Sequence, residues 1–281
     1  MRIGRILALS VVCALLVPFA AAQITGDQIS YYFRDWHNAA PRMIRGSLVE
    51  RDILTRGDAT HPIQKGAVLR FVNSYTYATL APNATAAATR LHGQQEIYYV
   101  ESGRGSVTAG GQTAELYRNI AVLMPANLKF TLKNTGNKSL AMYVINEPTP
   151  PGFRPNAQML VKDENKIPIS TAAQLWSEIV KPIFGTEDGL GTLQNVSTVT
   201  FDPLTISKPY VAHNAGIEEV WTDLYGTGIP FISNALFKQT PGMAFYHVPD
   251  NLTPHSTINP SPDSQVKFLY FARYRPHEDR K

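Results

Sequence analysis

The sequence predicts an all-β protein built from two small barrels in tandem. Three observations carry that prediction. From Gly66 onward, short runs of β-branched and aromatic residues alternate with Gly, Pro and Asn turns. The same landmarks return in the same order 121 to 127 residues later. A proline-rich break, PTPPGFRPN at 148–156, separates the two stretches.

The chain opens with MRIGRILALSVVCALLVPFAAAQ: two arginines, an apolar run too short to span a bilayer, then small residues at Ala20 and Ala22. That is the pattern of a Sec-type signal peptide, residues 1–22, cleaved after Ala22, and it predicts a secreted or periplasmic protein. The only cysteine, Cys13, lies inside this leader. A mature chain without thiols is held by its core alone, and any metal in it must be bound by histidine and carboxylate. The net charge of +4 includes Arg2 and Arg5, so cleavage leaves about +2, with no basic block. Nucleic acid and, after cleavage, membrane are therefore not expected partners; a small molecule is.

Residues 23–65 read as an N-terminal arm. The first barrel spans 66–150, with strand candidates in VLRFVNSYTYATLAP, EIYYVESGRGSVTAG, IAVLMPANLKFTLKN and SLAMYVINE. Residues 151–190 read as a linker with a short helix in STAAQLWSEIVKP, N-capped by Ser170 or Thr171 and stopped by Pro182. The second barrel spans 191–281.

The repeat supplies the register. TLAP at 79–82 matches TFDP at 200–203, and His92 matches His213 at the same shift of 121. Glu96, Gly103 and Gly105 match Glu219, Gly226 and Gly228 at 123; Pro125, Asn127 and Leu128 match Pro249, Asn251 and Leu252 at 124; Asn134 matches Asn259 at 125, and Tyr143 matches Tyr270 at 127. Small loop insertions in a duplicated β domain produce this slow drift.

A histidine, a short spacer, Glu-x6-Gly, and later Pro, a few residues, His-x3-Asn resembles the two-part signature of the cupins, and two copies resemble a bicupin. The resemblance implies two antiparallel jelly-roll barrels. Each would hold one divalent metal when a His-x-His pair, the glutamate and the late histidine are all present. The first copy has His92 and Glu96, but Arg90 stands at the first His-x-His position and Phe130 at the late histidine, so this copy is expected to be metal-free, with Arg90, His92 and Glu96 forming at most a secondary pocket. The second copy has His213, Glu219 and His255, with Val211 in place of the first histidine. Two histidines and a carboxylate leave open positions for substrate, water or dioxygen, and suit one divalent transition metal: Fe, Mn, Cu, Ni or Zn. Glu218 is the alternative carboxylate, and His247, two residues before Pro249, is a candidate fourth ligand or proton-transfer group; these two are the catalytic candidates. Trp221, Tyr225, Phe245 and Tyr270 read first as core, with the lining of a substrate cavity as the alternative.

The chain has no phosphate loop, no cysteine nucleophile and no Ser-His-Asp signature. The expected function is a metal-dependent enzyme acting on a small oxygen-rich molecule (an organic acid, phenol or sugar derivative), most readily an oxidoreductase such as a dioxygenase or decarboxylase. The alternatives are a non-catalytic small-molecule-binding or storage-like bicupin and a metal-free isomerase. The resemblance also implies a homodimer, with residues 23–65 covering a barrel edge or reaching a partner.

Overall fold

In the computed structural model, which describes residues 26–172, 177–211 and 216–274, the strand texture forms two barrels, each a large and a small sheet. The large sheet of the first barrel runs in the order Leu160–Asp163, Ile120–Met124, Gln94–Ser102, Leu140–Pro148, Ser74–Leu80, Leu48–Arg56, Pro41–Ile44, with Ala67–Leu69 alongside Leu48–Arg56. Its small sheet runs Thr89–Arg90, Lys129–Asn134, Arg104–Ala109, Gln112–Tyr117. The second barrel repeats the plan: Phe33–Asp35, Met243–Tyr246, Glu218–Tyr225, Val266–Arg273, Asn195–Phe201, Ile179–Gly185 form its large sheet. Its small sheet is Tyr210–Val211, Pro254–Ile258, Ile229–Ile232, Ala235–Leu236.

Two expectations about the connecting segments are corrected. Residues 23–65 are not a separate arm: Leu48–Arg56 pairs with Ser74–Leu80 inside the first barrel, and Phe33–Asp35 adds to the edge of the second. The 151–190 segment is not only a linker, because Leu160–Asp163 pairs into the first barrel and Ile179–Gly185 into the second. The latter strand takes up Ile179 to Pro182, the end of the expected helix, while Ala173 to Trp176 lie outside the described residues. An unpaired sheet edge exposes a row of backbone donors and acceptors, and covering it outweighs the local helix preference of a short segment.

The landmarks shared by the copies have structural duties. Asn134 and Asn259 are fully buried, and each donates from its side-chain amide to the carbonyl that ends the barrel's TLAP-type strand, Leu80 at 2.8 Å and Phe201 at 3.1 Å. Gly103 and Gly226 have φ of +88° and +91°, and a Cβ there would lie 2.4 Å and 2.7 Å from a backbone oxygen. Only glycine meets both conditions without strain. One proposed equivalence shifts: Tyr143 pairs with Tyr99 and Leu269 with Thr222, so Leu269 rather than Tyr270 is the counterpart of Tyr143. A slip of one residue changes the face of the sheet, and Tyr143 and Leu269 share the inter-barrel core while Tyr270 faces the second barrel's interior.

The two large sheets pack against each other. Ile97, Tyr99, Tyr75 and Tyr143 of one meet Val220, Leu269 and Phe271 of the other in a common core, with the Tyr75 hydroxyl donating to Thr222 Oγ1 at 2.8 Å. Two buried carboxylates, from non-equivalent strands of the two barrels, clasp this junction. Glu218 accepts the backbone N–H groups of Arg70, Phe71 and Val72 at 2.6, 3.0 and 2.8 Å. Glu147 accepts those of Gly191, Thr192 and Leu193 at 2.9, 2.8 and 2.8 Å. The donor triplets are the same segment in the two copies, the turn leading into Ser74–Leu80 and into Asn195–Phe201.

The barrel interiors differ. The first is filled by a cluster of nineteen buried apolar residues, the second by seven among the described residues, which leaves room for a cavity. On Glu218–Tyr225, Glu219, Trp221 and Asp223 face this interior, and Asp223 stands where the first barrel has Val100. Asp223 is fully buried and neither carboxyl oxygen has a hydrogen-bond partner among the described residues. Burial pushes its pKa up to about 8, and the nearby Gly228 N–H offsets little of this because it donates to the Gln239 carbonyl. The folded protein therefore keeps this proton at neutral pH, whereas the unfolded chain releases it near pH 4. With more protons bound when folded, stability falls as pH rises from about 4 to about 8 and levels off above that. At ~1.4 kcal/mol per pKa unit the loss is several kcal/mol. Urea midpoints measured from pH 5 to pH 8 should decline in the wild type and decline markedly less in Asp223→Asn; equal declines in both would remove Asp223 as the cause.

Candidate metal centre in the second barrel

The period of two along Glu218–Tyr225 sends consecutive glutamates to opposite faces. Glu219 turns into the barrel, and Glu218 turns to the inter-barrel clasp. Glu218 is therefore neither the alternative ligand nor a catalytic group: its oxygens are taken by three backbone donors.

Opposite Glu219 the chain leaves Met243–Tyr246, and the His247 N–H donates to the Glu219 carbonyl at 2.8 Å. The chain then turns through Asn251 at φ +61°, where Asp250 accepts the Leu252 and Thr253 N–H groups at 2.9 and 2.7 Å, and returns as Pro254–Ile258, bringing in His255. An Asx turn of this kind fixes the loop without large side chains.

Glu219, His247 and His255 are buried, and each offers a ligand atom within 4.8 Å of the other two. His255 Nε2 lies 3.4 Å from Glu219 Oε1, His247 Nδ1 lies 3.9 Å from Oε2, and the imidazole centroids are 3.6 Å apart. The Trp221 indole N–H donates to Glu219 Oε1 at 2.6 Å and orients the carboxylate. Burial, with the neighbouring His255, pushes the His247 pKa down to about 3, so its imidazole is neutral. Burial also opposes ionisation of Glu219, but the hydrogen bond from His255 and the Trp221 N–H outweigh it and hold its pKa below the ordinary carboxylate value. Among the described residues, neither ring nitrogen of His247 nor Nδ1 of His255 has a hydrogen-bond partner. Buried polar atoms are nearly always satisfied, so two imidazoles and an anionic carboxylate with unused lone pairs fit a divalent transition metal. His213 lies outside the described residues.

The first barrel carries the same positions with different contents. Glu96 is the counterpart of Glu219, Tyr98 of Trp221, Met124 of His247 and Phe130 of His255. Tyr98 contacts Glu96 through its hydroxyl, as Trp221 contacts Glu219. In place of a metal, Arg45 enters from the turn between Pro41–Ile44 and Leu48–Arg56. Its guanidinium donates to both Glu96 oxygens at 2.6 and 2.8 Å and to the Tyr98 hydroxyl at 2.7 Å, and lies 5.2 Å from the centre of the Phe130 ring. The expected secondary pocket of Arg90, His92 and Glu96 does not assemble. Arg90 and His92 are exposed, with Arg90 donating to the Asn127 carbonyl at 2.6 Å, while Glu96 is buried with Arg45. His92 sits just before Gln94–Ser102, outside the ladder that fixes which way a side chain faces.

A cavity of about 400 Å³ opens against Glu219 and His255. Of the four aromatics read as core or cavity lining, Trp221 and Tyr270 pack in the barrel interior and also wall the cavity, whereas Phe245 is buried against Phe33 and Tyr225 lies beside Lys267 in a separate groove. The cavity also receives Glu178. Burial and the charge of Glu219 push the Glu178 pKa up to about 7, against the pull of His255, so this carboxyl is able to hold or release a proton near neutral pH. Sequence reasoning missed both Arg45 and Glu178: one sits in an ordinary turn, IRGS, the other in a segment read as helix, and no spacing connects either to a site.

Residues 76–146 match the family model of the cupin domain. No curated protein sequence matches the chain significantly. Among solved structures, protein Ylba from E. coli is similar at 15% identity with a TM-score of 0.67, covering 88% of this chain and 92% of that one. A point mutant of Bacillus subtilis oxalate decarboxylase OxdC is similar at 11% identity and TM-score 0.64, covering 89% and 78%. Vicilin from Corylus avellana is similar at 11% identity and TM-score 0.65, covering 87% and 86%. At such identities the likeness concerns the fold. Residues 76–146 are thus a cupin domain, and the chain as a whole has the fold of two cupin barrels in tandem, of which the second carries a candidate His/Glu metal site.

Proposed function

We propose that this bicupin is an exported metal-dependent enzyme whose reaction centre is Glu219, His247 and His255 in the second barrel. The single observation that carries the reading is the set of buried imidazole nitrogens, unpartnered among the described residues and gathered around an oriented, ionised carboxylate. A divalent ion of Fe, Mn, Cu, Ni or Zn held there would supply Lewis acidity or, for a redox-active ion, electron transfer. The protein's own residues divide the remaining work. His247 stays neutral and available as a donor, Trp221 fixes the carboxylate, the aromatic side chains wall the adjoining cavity, and Glu178 holds or moves a proton at its carboxyl. An oxidoreductase or decarboxylase acting on a small oxygen-rich molecule fits these parts, and the likeness to oxalate decarboxylase supports it at the level of fold. A binding or storage-like role is the second reading, favoured by the plugged first barrel and the likeness to vicilin.

Elemental analysis of protein exported to the periplasm tests the proposal. About one transition metal per chain is expected, falling below about a tenth in His255→Ala and in His247→Ala. A wild type that stays below about a tenth after reconstitution would sink the metalloenzyme reading. Intact mass of the same preparation should place the mature N terminus at Gln23, and its mass in solution should be that of a dimer.

A further inference from the structure

The cavity beside the centre says more about its occupant than the centre does. Trp221, Tyr270, Tyr210 and Tyr274 supply four aromatic side chains to its lining. Trp221 and Tyr270 lie 4.6 Å apart at 58°, and the Tyr210 ring stands perpendicular to His255 at 5.8 Å. Val180 and Val199 add apolar wall. Flat apolar walls of this kind gain most from a flat occupant, through stacking and edge contacts at centroid separations of about 4.5–7 Å.

Charge and size point the same way. Glu178 and Glu219 both face the cavity, and Lys208, exposed, is the one cation among the described lining residues. With Glu219 neutralised by the ion it would hold, a small dianion would still meet the Glu178 carboxyl and find a single solvated ammonium. It would also fill little of a space equal to about a dozen waters. A sugar needs many free hydrogen-bonding groups, and part of the polar lining is already committed: Ser207 accepts from the Thr257 N–H at 2.9 Å and bonds with Ser256, and Asn195 Oδ1 accepts from the Ser197 hydroxyl.

Resting on the proposed centre, we infer that the second barrel takes a planar hydroxylated aromatic compound, neutral or singly charged, its ring between the aromatic walls and its oxygens toward Glu219 and His255. Lys208 at the surface accommodates one carboxylate on the ring.

Calorimetric titration of the exported protein with 3,4-dihydroxybenzoate, oxalate and gluconate, each in metal-loaded and chelator-stripped protein, tests this without any turnover. The aromatic probe is expected to bind at least tenfold more tightly than the other two. Tyr210→Ala and Tyr270→Leu should each weaken it about five- to tenfold while metal content is unchanged. Tyr210 is partly exposed, so its variant tests the idea even if Tyr270→Leu does not fold. Tighter binding of oxalate or gluconate, or unchanged affinity in Tyr210→Ala, overturns the inference. Metal present without preference for the ring refutes the inference alone. Ring binding that persists in protein unable to take up metal supports the inference and refutes the metal centre instead.

Discussion

Replacing Glu218 with alanine is expected to destabilise the protein by about 4 kcal/mol. The carboxylate is fully buried and accepts three successive N–H groups from the first barrel. Each buried donor left without an acceptor costs about 1–3 kcal/mol, the lower figure applying where water enters the gap. Burial raises the Glu218 pKa, an effect opposed by these same backbone bonds and by Arg273, so the clasp carries a desolvation cost that only its full complement of donors offsets. Glu218→Gln keeps one acceptor oxygen and should lose about half as much. Urea denaturation gives both values, and metal content measured on the folded fraction separates the roles: a clasp residue leaves the metal in place, whereas a ligand would not. A loss below about 1 kcal/mol in the alanine variant would show that the clasp is dispensable.

Arg45→Ala should be comparably severe, about 3–5 kcal/mol, because it strands the Glu96 charge in the first barrel. Arg45 and Glu96 side chains are 12% and 5% exposed, which leaves little solvent to compensate. The informative companion is Arg45→Met with Glu96→Gln, which removes both charges and keeps volume. If the guanidinium stands in for a metal by neutralising the glutamate, the double variant recovers most of the loss, and the double-mutant cycle gives a coupling of more than about 1 kcal/mol. Additive losses would mean that Arg45 acts by packing on Phe130 alone.

The outline of the fold was legible in the sequence because duplication wrote the same constraints twice. Gly103 and Gly226 are required by left-handed turns pressed against backbone, and Asn134 and Asn259 by carbonyls that need a donor at a fixed place. Such residues tolerate no substitute, so their spacing survives divergence. Glu219 and His255 were legible for the same reason: their distances from these landmarks are set by strand length. The strands Phe33–Asp35 and Ile179–Gly185 were not, since a short strand is chosen by the open sheet edge it covers rather than by its own residues.

The role of each glutamate at 218 and 219 illustrates the division. Sequence alone determined that one of two adjacent carboxylates faces the barrel, that the late histidine joins it, and that the first copy lacks the late histidine. Only the tertiary structure decided which carboxylate it is, because strand parity depends on ladder register. It also decided that His247 completes the group by lying opposite Glu219 across a hydrogen-bonded pair, and that Arg45 and Glu178 arrive from segments 51 and 41 residues away from the glutamates they face. Side chains that meet through barrel closure share no local period, and a one-dimensional pattern carries no trace of them.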